Sequence, residues 1–546
     1  MIQDIRISSI FQTSRATVDD IEKVIMKSPA KSCILDSIPT YLLKECKSEL
    51  STTITNIVNL SLSSGKMPDD FKHAVITPLL KKPGAKLIYK NYRPVSGLPF
   101  VSKLIEKVVS KQLNQHVDAN QLNETYQSAY KSKHSTETAL IKITNDLLLE
   151  ADNQHVVFLD LSAAFDTVDH DMLLSRLETM FGINGLALQW FETYLTGRTQ
   201  SVKINSEMSE KKTLKCCVPQ GSVLGPPLYC DYTIPLGIII RLFLILFHMY
   251  ADDSQLYKSI SSTCEEDQQQ GIRQLEECIC EISDWMKKNK LKINEEKTEF
   301  LIVGTSQQRS KMQFDSISVG GLKIKSSPVV KNLGVYLDEE LTMETHIRHI
   351  CNSCYHFLGN IRLIRRYLTV SSAKTIVHSV ISSRIDYCNS LFIGISEYLI
   401  KKLQLVQNYA ARIVLNLKKF DSITPALIKL HWLPVKQRIV YKVNLLVFKA
   451  LNGDAPDYIR SMFTFYNPPR TLRSSSKKYI LKEERSKLKT MGNRAFAIAA
   501  PRHWNSLPDD LRDIQLNIND FKKKLKTFLF RMAYTSEQRS DYSHSE

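Results

Sequence analysis

Hydrophobic positions recur at helical and at strand spacing along most of this 546-residue chain. Ile21, Val24 and Ile25 share one helical face that begins after Thr17, and a three-and-four spacing from Ile272 to Met286 predicts a longer packed helix. Helical periodicity then continues from about 345 to 455. Further helices are predicted at 102–113, 135–149 and 171–195, and strands at 74–80, 155–161, 199–204 and 332–337. Residues 291–304 are predicted to be a turn that leads into a strand. The pattern therefore predicts a mixed α and β fold.

One of these strands, 155–161, is apolar except for a carboxylate near its end, Asp160. An unpaired buried carboxylate is costly, so this position needs a compensating partner. A bound divalent cation would supply one.

A second carboxylate pair, Asp252 and Asp253, lies between the apolar run 238–249 and the alternating run 254–257. This pattern predicts a strand, a tight turn and a strand, with both acids at the tip. Adjacent carboxylates raise each other's pKa unless a cation lies between them, and a solvated turn is the simpler alternative.

Asp160, Asp252 and Asp253 together could hold two Mg²⁺ ions, which prefer oxygen ligands. Two such ions would lower the pKa of an attacking 3′-hydroxyl and neutralise a pyrophosphate leaving group. The three carboxylates thus indicate a nucleotidyltransferase, although their number alone equally allows a nuclease.

Two loops are unusual in composition. Residues 81–93 carry several cations, which predict either a phosphate clamp or a solvated basic loop. In residues 219–226 two glycines and two prolines surround Gln220, which predicts a rigid loop whose backbone another group approaches closely.

The net charge of +17 suits an anionic polymer or an anionic membrane surface. The most apolar segment, 235–249, carries Arg241 and is shorter than the roughly 20 residues that a membrane span needs. We therefore expect a buried strand or a helix-to-strand segment there, no membrane partner, and nucleic acid as the polyanion.

The eleven cysteines are scattered and odd in number, and the amino terminus lacks a secretory pattern. Reduced thiols and an intracellular location, in the nucleus or the cytoplasm and not secreted, are the expectation. Cys351 and Cys354 with His356 could suggest zinc, but helix-borne thiols fit better because no second pair stands at finger spacing.

Seven blocks of sequence carry a resemblance to the reverse transcriptases of non-LTR (LINE- and jockey-like) retrotransposons over nearly the whole chain. They are residues 91–96 (NYRPVS), 127–130 with 134–140, 158–166 (FLDLSAAFD), 219–226 (PQGSVLGP), 250–253 (YADD), 294–298 and 332–335. The resemblance implies an α+β right-hand polymerase with fingers, a palm with an antiparallel sheet and a helical thumb, followed by a mostly helical basic region.

The same resemblance implies a division into four segments. These are a helical amino-terminal extension at 1–60, fingers and palm at 61–345, a thumb-like region at 346–460, and a basic region at 461–546 with a disordered tail after Tyr534. Trp504 in the last segment could stack on a base, but burial is the stronger expectation. Cations stud the outer faces of the helical region, namely Arg348, Arg362, Arg365, Arg366, Lys401, Lys402 and Arg412.

The resemblance also implies the partners and the roles of individual residues. An RNA template, a DNA primer and a dNTP would be bound, with two Mg²⁺ ions (Mn²⁺ being possible) on Asp160, Asp252 and Asp253. The substrate-binding positions would be Arg93, Phe165, Gln220, Gly221 and Tyr250, with Lys86 or Lys90 as a further cation. Phe165 would be the gate that excludes a 2′-hydroxyl. Lys297 would donate a proton to pyrophosphate, and residues 332–335 would form the primer grip.

The chain also departs from that family. It is expected to lack the amino-terminal endonuclease. Pro227 and Cys230-Asp231 replace the Leu and Phe-rich residues usual after the glycine-rich loop, and residues 242–245 replace a more polar turn before the hairpin. The alternative function is a catalytically inactive, retroelement-derived protein that binds nucleic acid through its basic helices.

Overall fold

The computed structural model describes residues 11–82, 84–152, 155–162, 167–260, 265–294, 297–467, 479–488 and 490–541. Phe165, the predicted sugar gate, and Asp166 lie outside these ranges. The described part contains nineteen α-helices and thirteen strands, which confirms the predicted α+β class.

The helices alternate with strands in the first half of the chain and dominate the second half. They are α1 Val18–Lys27, α2 Thr40–Glu45, α3 Lys47–Ser64, α4 Phe100–Ala119, α5 Thr136–Ala151, α6 His170–Thr179, α7 Gly185–Leu195, α8 Gly225–Leu242, α9 Glu265–Lys288, α10 Ser306–Arg309, α11 Glu344–Ile364, α12 Val370–Val377, α13 Ser383–Asp386, α14 Glu397–Leu415, α15 Thr424–Leu430, α16 Val435–Leu451, α17 Asp457–Arg460, α18 Phe496–Asn505 and α19 Ile518–Asp541.

The strands form two larger sheets and two hairpins. They are β1 His73–Leu80, β2 Tyr92–Gly97, β3 His155–Ser162, β4 Thr199–Ile204, β5 Glu207–Met208, β6 Lys212–Thr213, β7 Leu246–Tyr250, β8 Asp253–Ile260, β9 Glu299–Val303, β10 Ser316–Val319, β11 Leu322–Lys325, β12 Val329–Asn332 and β13 Val335–Asp338.

Two compact units divide the chain. Unit 1 comprises residues 1–130, 162–242 and 280–294, and unit 2 comprises 131–161, 243–279 and 295–546. This grouping cuts across the four predicted segments, because the described residues of 11–60 and those of 461–541 each share a unit with a different part of the predicted segment 61–345.

Unit 1 is built on a sheet in the order β2-β1-β4-β5, with β6 also paired to β4. β1 is antiparallel to β2 and parallel to β4. Helices α1, α3, α4 and α7 pack together in this unit, where buried Trp190 donates to the hydroxyl of Ser61 at 3.0 Å. Thr17 and Asp20 form a capping box at the start of α1, as the sequence predicts.

Unit 2 contains a sheet in the order β7-β8-β3-β9. The pairs β7–β8 and β3–β9 are antiparallel, and Val156 to Leu159 on β3 are fully buried. Helix α5 packs on β7 and β8, and a helical cluster of α11, α14, α16, α18 and α19 makes up most of the remainder. The buried apolar strand thus lies at the centre of the unit that carries Asp160.

Two predicted strands are wrong in part. The apolar run 238–249 is helical as far as Leu242, and β7 begins only at Leu246, so the alternative of a helix-to-strand segment is confirmed. Residues 332–337 are not one strand, because Leu333 and Gly334 have φ angles of +43° and +86° and turn the chain between β12 and β13.

Several smaller predictions are confirmed. Pro227 lies in the first turn of α8, where its missing N–H costs little. Cys351 and Cys354 are buried on α11, and Trp504 is fully buried and donates to the carbonyl of Tyr479 at 2.8 Å. Helix α19 continues to Asp541, beyond the point where the sequence predicts disorder.

In the part of the chain that the structure describes, no helix is both long enough and apolar enough to cross a membrane.

Candidate active site

The predicted hairpin is present at the tip of β7 and β8. Tyr250 pairs with Asp253, so Ala251 and Asp252 form a two-residue turn. Ala251 has a φ angle of +57°, in the left-handed region that favours glycine. An alanine held there stores strain of roughly 1 kcal/mol, which is typical of functional turns. Asp252 is therefore presented on a tight, strained turn, and Asp253 begins the following strand.

Asp160 lies on β3, the strand next to β8. Gln255 on β8 donates from Nε2 to Asp160 Oδ1 at 3.0 Å, and the Gln255 side chain is fully buried. The Gln255 Oε1 atom is also buried, and no described residue gives it a hydrogen bond. Gln255 thus fixes one oxygen of Asp160, a role that the sequence patterns did not assign.

The three predicted carboxylates share one electrostatic neighbourhood. Burial, first, and then the charge of Asp253 raise the pKa of Asp160 to about 8, with smaller contributions from Glu299 and Asp252. Burial and Asp252 raise the pKa of Asp253 to about 6, while the charge of Lys297 lowers it. Mutual repulsion of this kind is what a cation between the carboxylates would relieve.

The donor set fits a divalent cation in its chemistry, because all three groups offer carboxylate oxygens. As the side chains stand, however, no three His, Cys, Asp or Glu residues of the described ranges converge closely enough to hold a metal ion. Side-chain rotation would be needed to bring the oxygens onto one ion.

Two of the predicted substrate-binding blocks meet in unit 1. The backbone N–H of Ser96 on β2 donates to the carbonyl of Gln220 at 2.7 Å. Gly221 has a φ angle of +118°, and a Cβ atom there would lie 2.7 Å from the carbonyl oxygen of Ser96. The close backbone approach predicted for this loop is confirmed, and Arg93 lies exposed on the same strand β2.

Glu106 on α4 holds the other end of this loop. Its Oε2 atom accepts from the backbone N–H groups of Val223 and Leu224 at 2.7 and 3.0 Å and from the hydroxyl of Tyr194 at 3.2 Å. Burial raises the pKa of Glu106, whereas the charge of Arg198 acts to lower it. Glu106 occupies the apolar face of α4, and that lone acid among buried positions is the signal that could have identified it.

The remaining predicted residues are dispersed. Lys297 is exposed just before β9, and Tyr250 is half-buried at the end of β7. Lys86 and Lys90 lie exposed on the loop between β1 and β2 in unit 1. Thus the three aspartates, Tyr250 and Lys297 belong to unit 2, and Arg93, Gln220 and Gly221 belong to unit 1.

The predicted primer grip, 332–335, is the turn of the β12–β13 hairpin. Tyr387 donates from its hydroxyl to the carbonyl of Leu333 at 2.7 Å, and its ring lies 3.4 Å from where a Cβ of Gly334 would be. Tyr387 therefore supports this turn from the helical part of unit 2, a contact between distant positions that local patterns do not reveal.

Residues 80–337 match the family model described as reverse transcriptase (RNA-dependent DNA polymerase). The match includes β3, the β7–β8 hairpin and all three aspartates. This part of the chain is therefore similar to the reverse transcriptase family, whose fold is the right-hand polymerase and whose members generally use divalent metal ions.

Within that class, the chain is similar to polymerases of non-LTR retrotransposons, which confirms the resemblance stated above. It is 28% identical over 415 residues to the probable RNA-directed DNA polymerase from transposon BS of Drosophila melanogaster, covering 73% of this chain and 44% of that protein. It is 27% identical over 349 residues to the RNA-directed DNA polymerase from mobile element jockey of the same species, covering 62% and 37%. The chain spans less than half the length of these curated relatives.

Among solved structures, that of apo telomerase from Candida tropicalis aligns with a TM-score of 0.33 and 13% identity, covering 53% of this chain and 59% of that one.

Proposed function

We propose that this chain is an RNA-directed DNA polymerase of retrotransposon origin, which transfers a nucleotidyl group from a dNTP to the 3′-hydroxyl of a DNA primer on an RNA template. One observation carries the proposal: Asp160, Asp252 and Asp253 repel one another on adjacent strands within the stretch that matches reverse transcriptases.

The three aspartates would hold two Mg²⁺ ions, or Mn²⁺ in their place. When bound, such ions lower the pKa of an attacking hydroxyl and stabilise the charge of the departing pyrophosphate. Gln255 keeps one oxygen of Asp160 in place, so that the other oxygen and the hairpin carboxylates can turn toward the ligand. The strained turn at Ala251 restricts the backbone of Asp252, and so limits the positions that its carboxylate can occupy.

The substrate roles are proposed for residues of both units. Lys297 would hold a proton on Nζ for the pyrophosphate oxygen, and Arg93 would bind the triphosphate through two guanidinium N–H groups. Gln220 and Gly221 would line the nucleotide pocket, supported by their contact with Ser96. Phe165 would exclude a 2′-hydroxyl, and Tyr250 would lie beside the primer end.

Primer extension on poly(rA)/oligo(dT) with Mg²⁺ tests the proposal. We expect dTTP incorporation by the unaltered chain and loss of at least a hundredfold in the Asp252→Asn, Asp253→Asn double variant, since these substitutions keep the shape but remove the metal-binding charge. If the unaltered chain incorporates no more dTTP than the double variant, the proposal that it is a polymerase is wrong.

The second candidate, a nucleic-acid-binding protein without catalysis, is favoured by the lack of a converged metal site among the described residues. It predicts oligonucleotide binding that is independent of Mg²⁺ together with no extension under any metal. Either polymerisation or binding would take place inside the cell, where the RNA template and the DNA target are found.

A further inference from the structure

A cleft of about 890 Å³ lies at the carboxyl-terminal ends of α11 and α14 in unit 2. Five cationic side chains line it, and its described lining includes no carboxylate; they are Arg362, Arg365, Arg366, Arg412 and Lys419, and we call this site the arginine cleft. None of the five forms an ion pair with any described residue. This concentration of cations requires an explanation.

One of the five has a structural task. Arg365 donates from Nε and Nη2 to the carbonyls of Ile413 and Val414, both at 2.8 Å, near the end of α14. A cation that binds the last carbonyls of a helix also compensates the negative end of its dipole. Arg365 therefore shapes the wall of the cleft, and four cations remain for other partners.

Those four are only weakly engaged. Arg362 donates to the hydroxyl of Tyr409 at 3.5 Å, which is a long contact. Arg412 donates to the backbone carbonyl of Asp421 at 3.2 Å, and its Nε–H is buried without a partner in the described chain. The carboxylate of Asp421 instead accepts the backbone N–H of Lys418 at 2.6 Å. The protein itself thus leaves most of this positive charge unneutralised.

The arrangement also has an energetic cost. Arg365 and Arg366 lie three and four positions after Arg362, in the 3-10 turn that directly follows α11. Like charges at these spacings on a helix repel by roughly 0.2 to 0.5 kcal/mol per pair. An anionic ligand would convert that repulsion into attraction, and guanidinium groups match phosphate oxygens in geometry.

Two of the cations that line the cleft, Arg366 and Lys419, are each followed in the sequence by an exposed aromatic ring. Tyr367 follows Arg366 and is 74% exposed, and Phe420 follows Lys419 and is 92% exposed. The Arg366 guanidinium lies 4.8 Å from the centre of the Tyr367 ring, and the Lys419 ammonium lies 5.7 Å from that of Phe420. Exposed rings beside cations are the combination with which proteins bind unpaired bases and their phosphates.

We propose that the arginine cleft is a binding site for a single-stranded polynucleotide, formed by elements other than those that carry the three aspartates. Arg362, Arg366, Arg412 and Lys419 bind successive phosphates, and Tyr367 and Phe420 stack on bases. A duplex fits less well, because its base faces are stacked inside and unavailable to the two rings. The site would allow the chain to hold a strand without engaging a primer end.

The test uses the full chain in EDTA, so that no polymerisation takes place, with excess unlabelled primer–template duplex present. We measure the fluorescence anisotropy of labelled oligo(rU) and oligo(dT) against salt. Four phosphate contacts predict a slope of about −2.8 in log K against log salt, and the Arg366→Gln, Lys419→Gln variant should reduce its magnitude by about 1.4. Tyr367→Ala should weaken binding about tenfold.

The matched control is Arg348→Gln, Lys401→Gln, which removes two exposed cations from α11 and α14, the helices at whose ends the cleft lies. If both charge variants lose the same amount of oligonucleotide affinity, the arginine cleft is not a specific binding site. Binding would then reflect only the general attraction between a basic protein and a polyanion. Photocrosslinking with 5-iodouridine RNA should label peptides that contain Tyr367 or Phe420, and labelling confined to other peptides would also overturn it.

Two further outcomes separate this site from its alternatives. The unaltered chain could bind anionic lipid vesicles and not oligonucleotides, and lose vesicle binding in the Arg366→Gln, Lys419→Gln variant. That result would reject a polynucleotide ligand in favour of a membrane surface. Stronger binding of oligo(rU) than of oligo(dT) would identify RNA as the strand, and the reverse would identify DNA. Primer extension is measured separately, so failure of the polymerase does not affect these results.

Discussion

At the scale of single residues, the site is governed by how its carboxylates are held while they repel one another. Asp160 is half-buried beside Asp253 and accepts a hydrogen bond from Gln255. The sequence predicted all three aspartates, because an acid in an apolar strand and a pair at a hairpin tip are visible locally. Gln255 was missed because the contact joins two strands whose pairing the sequence does not reveal.

The raised pKa of Asp160 makes the stability of the metal-free chain depend on pH. Because the folded pKa of about 8 exceeds the 3.8 of an aspartate in the unfolded chain, the folded chain binds this proton more tightly. That stabilisation is full below about pH 4 and is lost as the pH rises through about 8. We expect the unfolding temperature in EDTA to fall from about pH 6 to about pH 9, and Mg²⁺ to raise it more at the higher pH.

Thermal unfolding followed by circular dichroism, with EDTA or with MgCl₂, measures both effects. Asp160→Asn is the control and should remove most of the pH dependence. A Mg²⁺ effect of the same size at both pH values would contradict a metal site on these carboxylates.

Replacing Gln255 tests its positioning role. Gln255→Leu removes a hydrogen bond that lowers the pKa of Asp160. A net hydrogen-bond energy of about 1 kcal/mol corresponds to a rise of roughly 0.7 in that pKa. We therefore expect the rising limb of the pH profile for primer extension to move upward by about that amount, with little change in the KM for dNTP.

Gln268→Leu is the matched control for this variant. Gln268 is also a buried glutamine with a backbone partner, the carbonyl of Lys311 at 3.2 Å, but it lies on α9. If both substitutions lower activity without moving the pH profile, Gln255 contributes only to stability.

At the scale of elements, the sequence predicted strands and helices wherever their ends are marked locally. The start of α1 was visible in the Thr17–Asp20 capping box, and β3 was visible as an apolar run. The β12–β13 hairpin was missed because Leu333, unlike Asn or Asp, is not a residue typical of turns with positive φ. The end of α8 was missed because an apolar run has the same composition in a buried helix as in a strand.

The contact between the 219–226 loop and β2 provides a prediction at this scale. Gly221→Ala would put a Cβ atom 2.7 Å from the carbonyl oxygen of Ser96, at a φ of +118° that alanine rarely adopts. We expect the loop to move away from β2, with an increase in the KM for dNTP of roughly tenfold, equivalent to about 1.4 kcal/mol of lost binding.

Steady-state kinetics of primer extension measure this change. Gly359→Ala in α11 is the control, because no atom lies within 4 Å of its added Cβ, and alanine there should stabilise the chain by about 1 kcal/mol. An unchanged KM in Gly221→Ala would remove the loop from the nucleotide pocket.

At the scale of the whole molecule, contacts within unit 2 join positions that are far apart in the chain. Asn145 on α5 accepts the backbone N–H of Ala497 at 2.9 Å, and Asp152 accepts those of Lys487 and Leu488 at 2.7 and 2.6 Å. The Tyr458 hydroxyl lies 3.2 Å from that of Thr138. Local periodicity carries no information about such contacts, so the sequence separated the basic region 461–546 from the palm.

Shortening the chain tests this organisation. A chain that ends after residue 460 loses the partners of Asn145 and Asp152, and we expect α5 and β3 to exchange their amide hydrogens faster by at least tenfold. A chain that ends after Tyr534 retains those partners and is the control. Equal protection of β3 in both chains, measured by hydrogen exchange with mass spectrometry, would show that residues 461–534 form an independent region.

The hydrogen bonds that Asp152 accepts from Lys487 and Leu488 also set an order of events during synthesis. The later partners lie 335 and 336 positions further along the chain. At roughly 5 to 20 residues per second, a ribosome needs on the order of 20 to 70 seconds to reach them. Throughout that interval the helix that precedes the Asp160 strand has emerged without its final neighbours. A nascent chain of this kind is exposed to chaperones and proteases for most of its translation, and unit 2 gains these contacts of Asp152 only near the end.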